Sequence, residues 1–221
     1  MKVSAVERGL AIVLAIVLAL CSAGEASAQA AGTPGTIEGY AMVGAVTFTA
    51  AESFETILGS PSGQIRGGGA RIGLGLGGAF FDIGAWQFGA EGERVLIANG
   101  SVFPLGIPVT VTVTPIEVSG GWQFRFRRVP KLIPYVAGGV TAMRYRETSD
   151  FATSLEDADA FFNGYHVLGG AKYQITRRLG VAGEASWTTI PGAIGEAGVS
   201  QAFDETDLGG TTFRFKITIR R

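Results

Sequence analysis

The stretch TTFRFKITI, residues 211–219, places Phe213, Phe215, Ile217 and Ile219 on one parity and Arg214, Lys216 and Thr218 on the other. Successive side chains of a β-strand point to opposite faces, so this is a strand with one apolar and one charged face. A second copy of the pattern, IEVSGGWQFRF at 116–126, sets Ile116, Val118, Trp122, Phe124 and Phe126 against Glu117, Ser119, Gln123 and Arg125. Six further segments alternate in the same way: 40–48, 70–76, 85–95, 135–145, 165–175 and 179–187. The total of eight strands is even, and the intervals between them alternate too. FFD, RRVPKL and TRRLG make short connections after the second, fourth and sixth strands, whereas the other connections are long and polar or rich in Pro and Gly.

Short turns on one side and long loops on the other are the layout of an outer-membrane barrel, with the turns in the periplasm. The fold class expected is all-β: an eight-stranded antiparallel up-and-down transmembrane β-barrel. A soluble periplasmic barrel or sandwich is the alternative. The charged faces separate the two. With the aromatic faces turned to lipid, Arg71, Glu91, Glu93, Glu117, Arg125, Lys172, Glu184, Arg214 and Lys216 point inward; the reverse choice puts bases in hydrocarbon at ~2–4 kcal/mol each near the midplane. Tyr135 and Tyr145, ten residues apart, read as the two aromatic girdles, since ~33 Å of strand spans roughly 23 Å after tilting. Arg94 falls on the lipid-facing parity near the outer end, and Arg144 and Arg146 at the outer rim.

The chain begins with Lys2 and Arg8, an apolar run at 10–20, and small residues ending in Ala26, Ser27 and Ala28, the layout of a secretory signal peptide with cleavage after Ala28. The domain reading is a signal at 1–28, a short segment at 29–36 and a barrel domain at 37–221. Cys21, the single cysteine, lies inside the signal, so the mature chain has no thiol for disulfides or metal ligation. Losing Lys2, Arg8, Glu7 and Glu25 leaves the net charge at −1, which gives no footing for nucleic acid.

These strands resemble the small eight-stranded outer-membrane barrels of Gram-negative-type bacteria, the OmpA/OmpX/OmpW-like superfamily. The resemblance rests on PYVAGGVTAMRY (134–145), GYHVLGGAKYQI (164–175) and GGTTFRFKITI (209–219). The last looks like the signal read by the barrel-assembly machinery, with Gly210, Phe213 and Phe215 at the glycine and alternating aromatic positions. It departs from that pattern by ending in Arg220 and Arg221. The resemblance implies an outer-membrane location, lipid and lipopolysaccharide around a monomer, and no cofactor.

An eight-stranded barrel is just wide enough for its own side chains. The inward charges are therefore expected to pair into a plug, Arg71 with Glu91 or Glu93, and Glu184 with Lys172, Arg214 and Lys216; the alternative is a narrow ion path. His166, the only histidine, is read as a lumen side chain of that network. An enzymatic reading, lipid A modification through His166, Ser186 and Glu184, lacks the serine two residues after the histidine, where Leu168 stands. The expected role is structural or surface-interactive. The main alternative is a narrow OmpW-like passage for small hydrophobic solutes, with an extracellular ligand at the long loops also open. Finally, GGGARIGLGLGGAFFD (67–82) contains Gly73, Gly75 and Gly78 in a G-x-G-x-x-G spacing, but a dinucleotide fingerprint must open a helix. With another strand following, Gly73, Gly75 and Gly77 are read as a thinned inner face, and Ile72, Leu74 and Leu76 as facing lipid.

Overall fold

The computed structural model describes residues 36–75, 77–98, 101–149, 158–195 and 198–221. The signal with Ala28, and Leu76, lie outside the described residues. The strands are β1 (Ile37–Phe48), β2 (Ser62–Gly73), β3 (Ala79–Ala98), β4 (Ser101–Gln123), β5 (Leu132–Thr148), β6 (Ala158–Gln174), β7 (Leu179–Thr189) and β8 (Gly210–Arg220). Each pairs antiparallel with its sequence neighbour, and β1 closes on β8 through a ladder from Glu38↔Arg220 to Phe48↔Gly210. Closure pairs both edges of the sheet around the barrel wall.

The connections at 74–78, 124–131 and 175–178 lie at one end with both barrel termini. At the opposite, loop end, helices α1 (Ala51–Leu58) and α2 (Gly198–Ala202) interrupt the β1–β2 and β7–β8 connections. β3 and β4 extend well past their neighbours as a long hairpin. Their ladder skips from Ala85↔Ile116 to Phe88↔Val113, beside Pro115, which has no N–H to donate.

The expected FFD turn is instead strand: β3 begins at Ala79, and the turn is made by the glycines before it. Gly75, Gly77 and Gly78 have φ of 72°, 61° and 133°, a region that side chains with a Cβ rarely enter. Gly75 and Gly77 therefore turn the chain and do not thin an inner face. Within the sheet, Gly69 and Gly84 do make room: a Cβ on either would lie 2.4 or 2.5 Å from the Tyr40 hydroxyl. The ring of Tyr40 crosses the lumen over these two glycines.

Moving the turn reverses the faces of β3. Phe80, Asp82, Trp86 and Phe88 are buried in the lumen, while Phe81 and Ile83 are exposed outside. On β5, Tyr135 and Met143 are each 1% exposed, and Val136 and Val140 face out. Tyr135 and Tyr145 are thus lumen residues and not girdles; their hydroxyls donate to Glu184 and Glu147, bonds unobtainable in hydrocarbon. The outward aromatics are others, among them Trp122 and Tyr173 near the turn end and Tyr165 and Trp187 nearer the loops. Phe213, Phe215, Ile217 and Ile219 all face out, as their parity requires.

Candidate functional site

The lumen is filled in layers. Nearest the turns, Lys172 Nζ donates to Glu38 Oε2 at 2.6 Å. Next, Arg71 Nε donates to Asp82 Oδ2 at 2.9 Å, with the guanidinium held between the rings of Phe80 (4.1 Å) and Tyr135 (4.3 Å). Tyr40 donates to the other oxygen of Asp82 at 2.7 Å. At the centre, Arg214 grips Glu117 in a two-pronged pair of 2.5 and 2.6 Å, and Trp86 Nε1 donates to the same carboxylate at 2.9 Å. Glu184 accepts from Lys216 at 2.7 Å, from Tyr135 at 3.0 Å and from Arg214 at 3.4 Å. Acids and bases at low dielectric are stable here because each finds its opposite and its hydrogen bonds.

His166 is 1% exposed. Its Nε2 lies 2.7 Å from Ser119 Oγ and its Nδ1 2.8 Å from Thr141 Oγ1. Ser186 Oγ instead meets Thr212 at 2.6 Å and Arg214 at 3.0 Å, so the relay from His166 to Ser186 is not formed.

Above the ions lies an apolar layer that includes Met42, Val46, Phe48, Ile65, Phe88, Val111 and Met143. Helix α1 sits on it, Phe54 stacking on Phe48 at 4.2 Å between ring centres. The sequence gives α1 no side-chain cap of its own at Ala50. The cap comes from the neighbouring β7–β8 loop: Glu52 N–H and Ser53 N–H donate to the two oxygens of Glu205, at 3.0 and 2.9 Å. A carboxylate suits the positive end of a helix. Asp207 fixes the same loop by accepting from Ile190 N–H and Gly209 N–H, both at 2.7 Å. Between α1, this loop and the tall β3–β6 wall is a cavity of about 660 Å³. Phe54, Leu58, Val109, Phe162, Ile194 and Leu208 give it a mainly apolar lining; Ser53, Arg94, Tyr145, Glu147 and Ser200 are its polar members.

Arg71, Glu117, His166, Lys172, Glu184, Arg214 and Lys216 are therefore brought together in the lumen. Three expected members are not. Arg125 lies beyond the end of β4, exposed in the 124–131 turn. Glu91 and Glu93 fall on the outward parity of β3, beyond the lipid-facing stretch; Glu91 is exposed, and Glu93 accepts from Gly106 N–H of the hairpin. Arg94, expected outside, turns inward, 3.8 Å from Glu147. Lys172 pairs with Glu38 in place of Glu184. Asp82 and Glu38 were missed because each lay just outside an expected strand; a turn placed on the positive-φ glycines would have put Asp82 opposite Arg71, where the ladder has it.

No protein-family model and no curated protein matches the sequence. Solved structures do match. The chain superposes on Neisserial surface protein A with a TM-score of 0.50 at 12% identity, covering 86% of this chain and 98% of that one. For the outer membrane protein OprG from Pseudomonas aeruginosa the TM-score is 0.51 at 9% identity, with 85% and 96% covered. The N-terminal β-barrel domain of Pseudomonas aeruginosa OprF gives 0.47 at 12%, with 85% and 98% covered. With its closed eight-stranded sheet and outward apolar belt, the chain has the fold of the small eight-stranded outer-membrane β-barrels.

Proposed function

We propose that this protein is an integral outer-membrane barrel, closed to ions, with a structural or surface-interaction role that its loop end performs. The observation that carries this reading is the partition of the strands. Val43, Ile83, Val140, Val167, Phe215 and Ile217 cover the outside, whereas the acids and bases of the same strands are buried and paired inside. An exterior so apolar is a lipid-facing surface. The turn end then faces the periplasm, and Phe213 and Phe215 are the side chains offered to the barrel-assembly machinery. Outer-membrane fractionation with a folding-dependent mobility shift on unboiled gels tests the placement; recovery of the protein in the soluble periplasmic fraction would overturn it.

Catalysis has little support from the same geometry. Ser119 and His166 are in contact, but they are 3% and 1% exposed, and the third partner is the Thr141 hydroxyl where an acyl-transfer site uses a carboxylate.

A second reading is favoured by the cavity: capture of a small, mainly apolar solute at the outer mouth. Its volume is within the range of ligand sites. Ser53, on its wall, is 5% exposed, and its hydroxyl has no hydrogen-bond partner among the described residues. Such a group is costly unless something bonds it, so a solute with one hydroxyl or carbonyl is the better fit. Binding of the fluorescent probe N-phenylnaphthylamine by the refolded protein tests this. Ala193→Phe, which fills the cavity, should abolish the signal; equal binding by that variant would refute the site.

A further inference from the structure

Among the described residues, the exposed charges of the turn end are of one sign. Arg127, Arg128 and Lys131 lie in the 124–131 connection, Arg177 and Arg178 in the 175–178 connection, and Arg221 at the chain end, all exposed. Arg125 and Arg220 add to them, and none of these segments contains Asp or Glu. The remaining connection, 74–78, has no charged residue at all. Glu38, the acid of the adjoining lumen layer, is committed to Lys172. The loop end is net acidic: Glu52, Glu55, Glu91, Asp204 and Glu205 stand there, and Arg144 is paired with Asp159. Since the whole chain has a formal charge of −1, the basic rim is segregation and not the overflow of a basic protein.

Its position is as specific as its sign. The outward apolar belt ends at Trp122, Ile175 and Ile219, and the first bases follow one to three residues later. At ~3.3 Å per residue along strands tilted ~45°, the charges stand up to about 7 Å beyond the last lipid-facing side chain. The headgroup layer of a bilayer occupies roughly the same depth on each side of the hydrocarbon. The bases also sit at three successive corners of the closed barrel, β4–β5, β6–β7 and β8–β1. A single docked protein would be met by a patch on one side; a ring at headgroup depth meets lipid.

We propose that this rim binds the phosphates of anionic phospholipids in the periplasmic leaflet and gathers an annulus of them around the turn end. The proposal rests on the membrane placement above, and the test separates the two. The full chain is refolded into phosphatidylcholine vesicles containing a minor fraction of phosphatidylglycerol, and the unboiled gel shift first reports whether the barrel has formed. Quenching by brominated phosphatidylglycerol is then compared with quenching by brominated phosphatidylcholine. Trp187→Phe leaves Trp122 as the lipid-facing reporter at the turn end; Trp122→Phe leaves Trp187 at the other. At low salt phosphatidylglycerol should be preferred at Trp122 by about fivefold, the factor that one base contributes at a charged membrane surface. The preference should vanish in about 1 M salt, where the screening length is ~3 Å. It should also vanish in the Arg127→Gln/Arg128→Gln/Arg177→Gln/Arg178→Gln variant and be absent at Trp187. Inorganic phosphate at constant ionic strength should leave it unchanged; displacement by phosphate would mean a free-anion site and overturn the annulus. Equal quenching by both lipids in a folded barrel, or binding of a soluble acidic polymer with no lipid preference, would overturn it while leaving the barrel intact. Failure to fold in vesicles would remove both.

Discussion

Glu117→Gln is the sharpest perturbation of the lumen, because it keeps the shape of the side chain and removes its charge. Arg214, whose side chain is 1% exposed, then faces an amide whose single oxygen can replace only one of the two contacts now at 2.5 and 2.6 Å. The amide nitrogen is left against a guanidinium nitrogen or against Trp86 Nε1, which now donates at 2.9 Å. Breaking a buried ion pair costs about 3–5 kcal/mol. Arg214 retains the longer contact to Glu184 at 3.4 Å, so the lower end, about 3 kcal/mol, is expected. Removing both charges in Glu117→Gln/Arg214→Gln relieves the stranded cation, so the double variant should be less destabilised than the two single effects added, by about 2 kcal/mol. Urea unfolding of the vesicle-inserted protein, followed by tryptophan fluorescence and by the unboiled gel shift, measures each corner of this cycle. A loss below ~1 kcal/mol for Glu117→Gln, the scale of an exposed pair, would show that water reaches the site and that the lumen is not closed there.

Gly84→Ala should destabilise the barrel, since its Cβ would lie 2.5 Å from the Tyr40 hydroxyl; Tyr40→Phe removes that oxygen and should recover part of the loss, despite giving up the bond to Asp82, in the same unfolding assay. No recovery would mean that the glycine serves some need other than the tyrosine. Glu205→Gln should weaken the cap on α1 by about 1 kcal/mol, visible as faster amide exchange over 51–58 with the strand amides unchanged. Exchange spread evenly over the barrel would contradict a local latch.

The period-two pattern carried most of the fold: β6, β7 and β8 hold alternations that end on charges deep in the lumen, and the inward assignments of Lys172, Glu184, Arg214 and Lys216 followed from parity alone. β5 misled because both of its faces are apolar. Tyr135 and Met143 inside and Val136 and Val140 outside offer no contrast, and the girdle-like spacing of Tyr135 and Tyr145 was the wrong guide. β3 misled for a related reason. Glu91 and Glu93 lie beyond the lipid-facing stretch, where both faces of a strand meet water, so their parity does not report which way the lumen lies. The glycine run of 67–82 was ambiguous because glycine serves both as an inner-face gap, at Gly69, and as a positive-φ turn residue, at Gly75 to Gly78. The cap on α1 and the cavity had no periodic signal at all. They arise where Glu205 meets the N–H groups of residues more than 150 positions earlier.

The closed lumen is tested most directly by recording from planar bilayers containing the refolded protein. Lys172 with Glu38, Arg71 with Asp82, and Arg214 with Glu117 and Glu184 block successive layers. No steady conductance above the bare membrane is therefore expected from protein shown to be folded by its gel shift. A stable open level in the unmodified protein, changed in ion selectivity by Glu117→Gln or Lys172→Gln, would contradict the plug and make the barrel a channel.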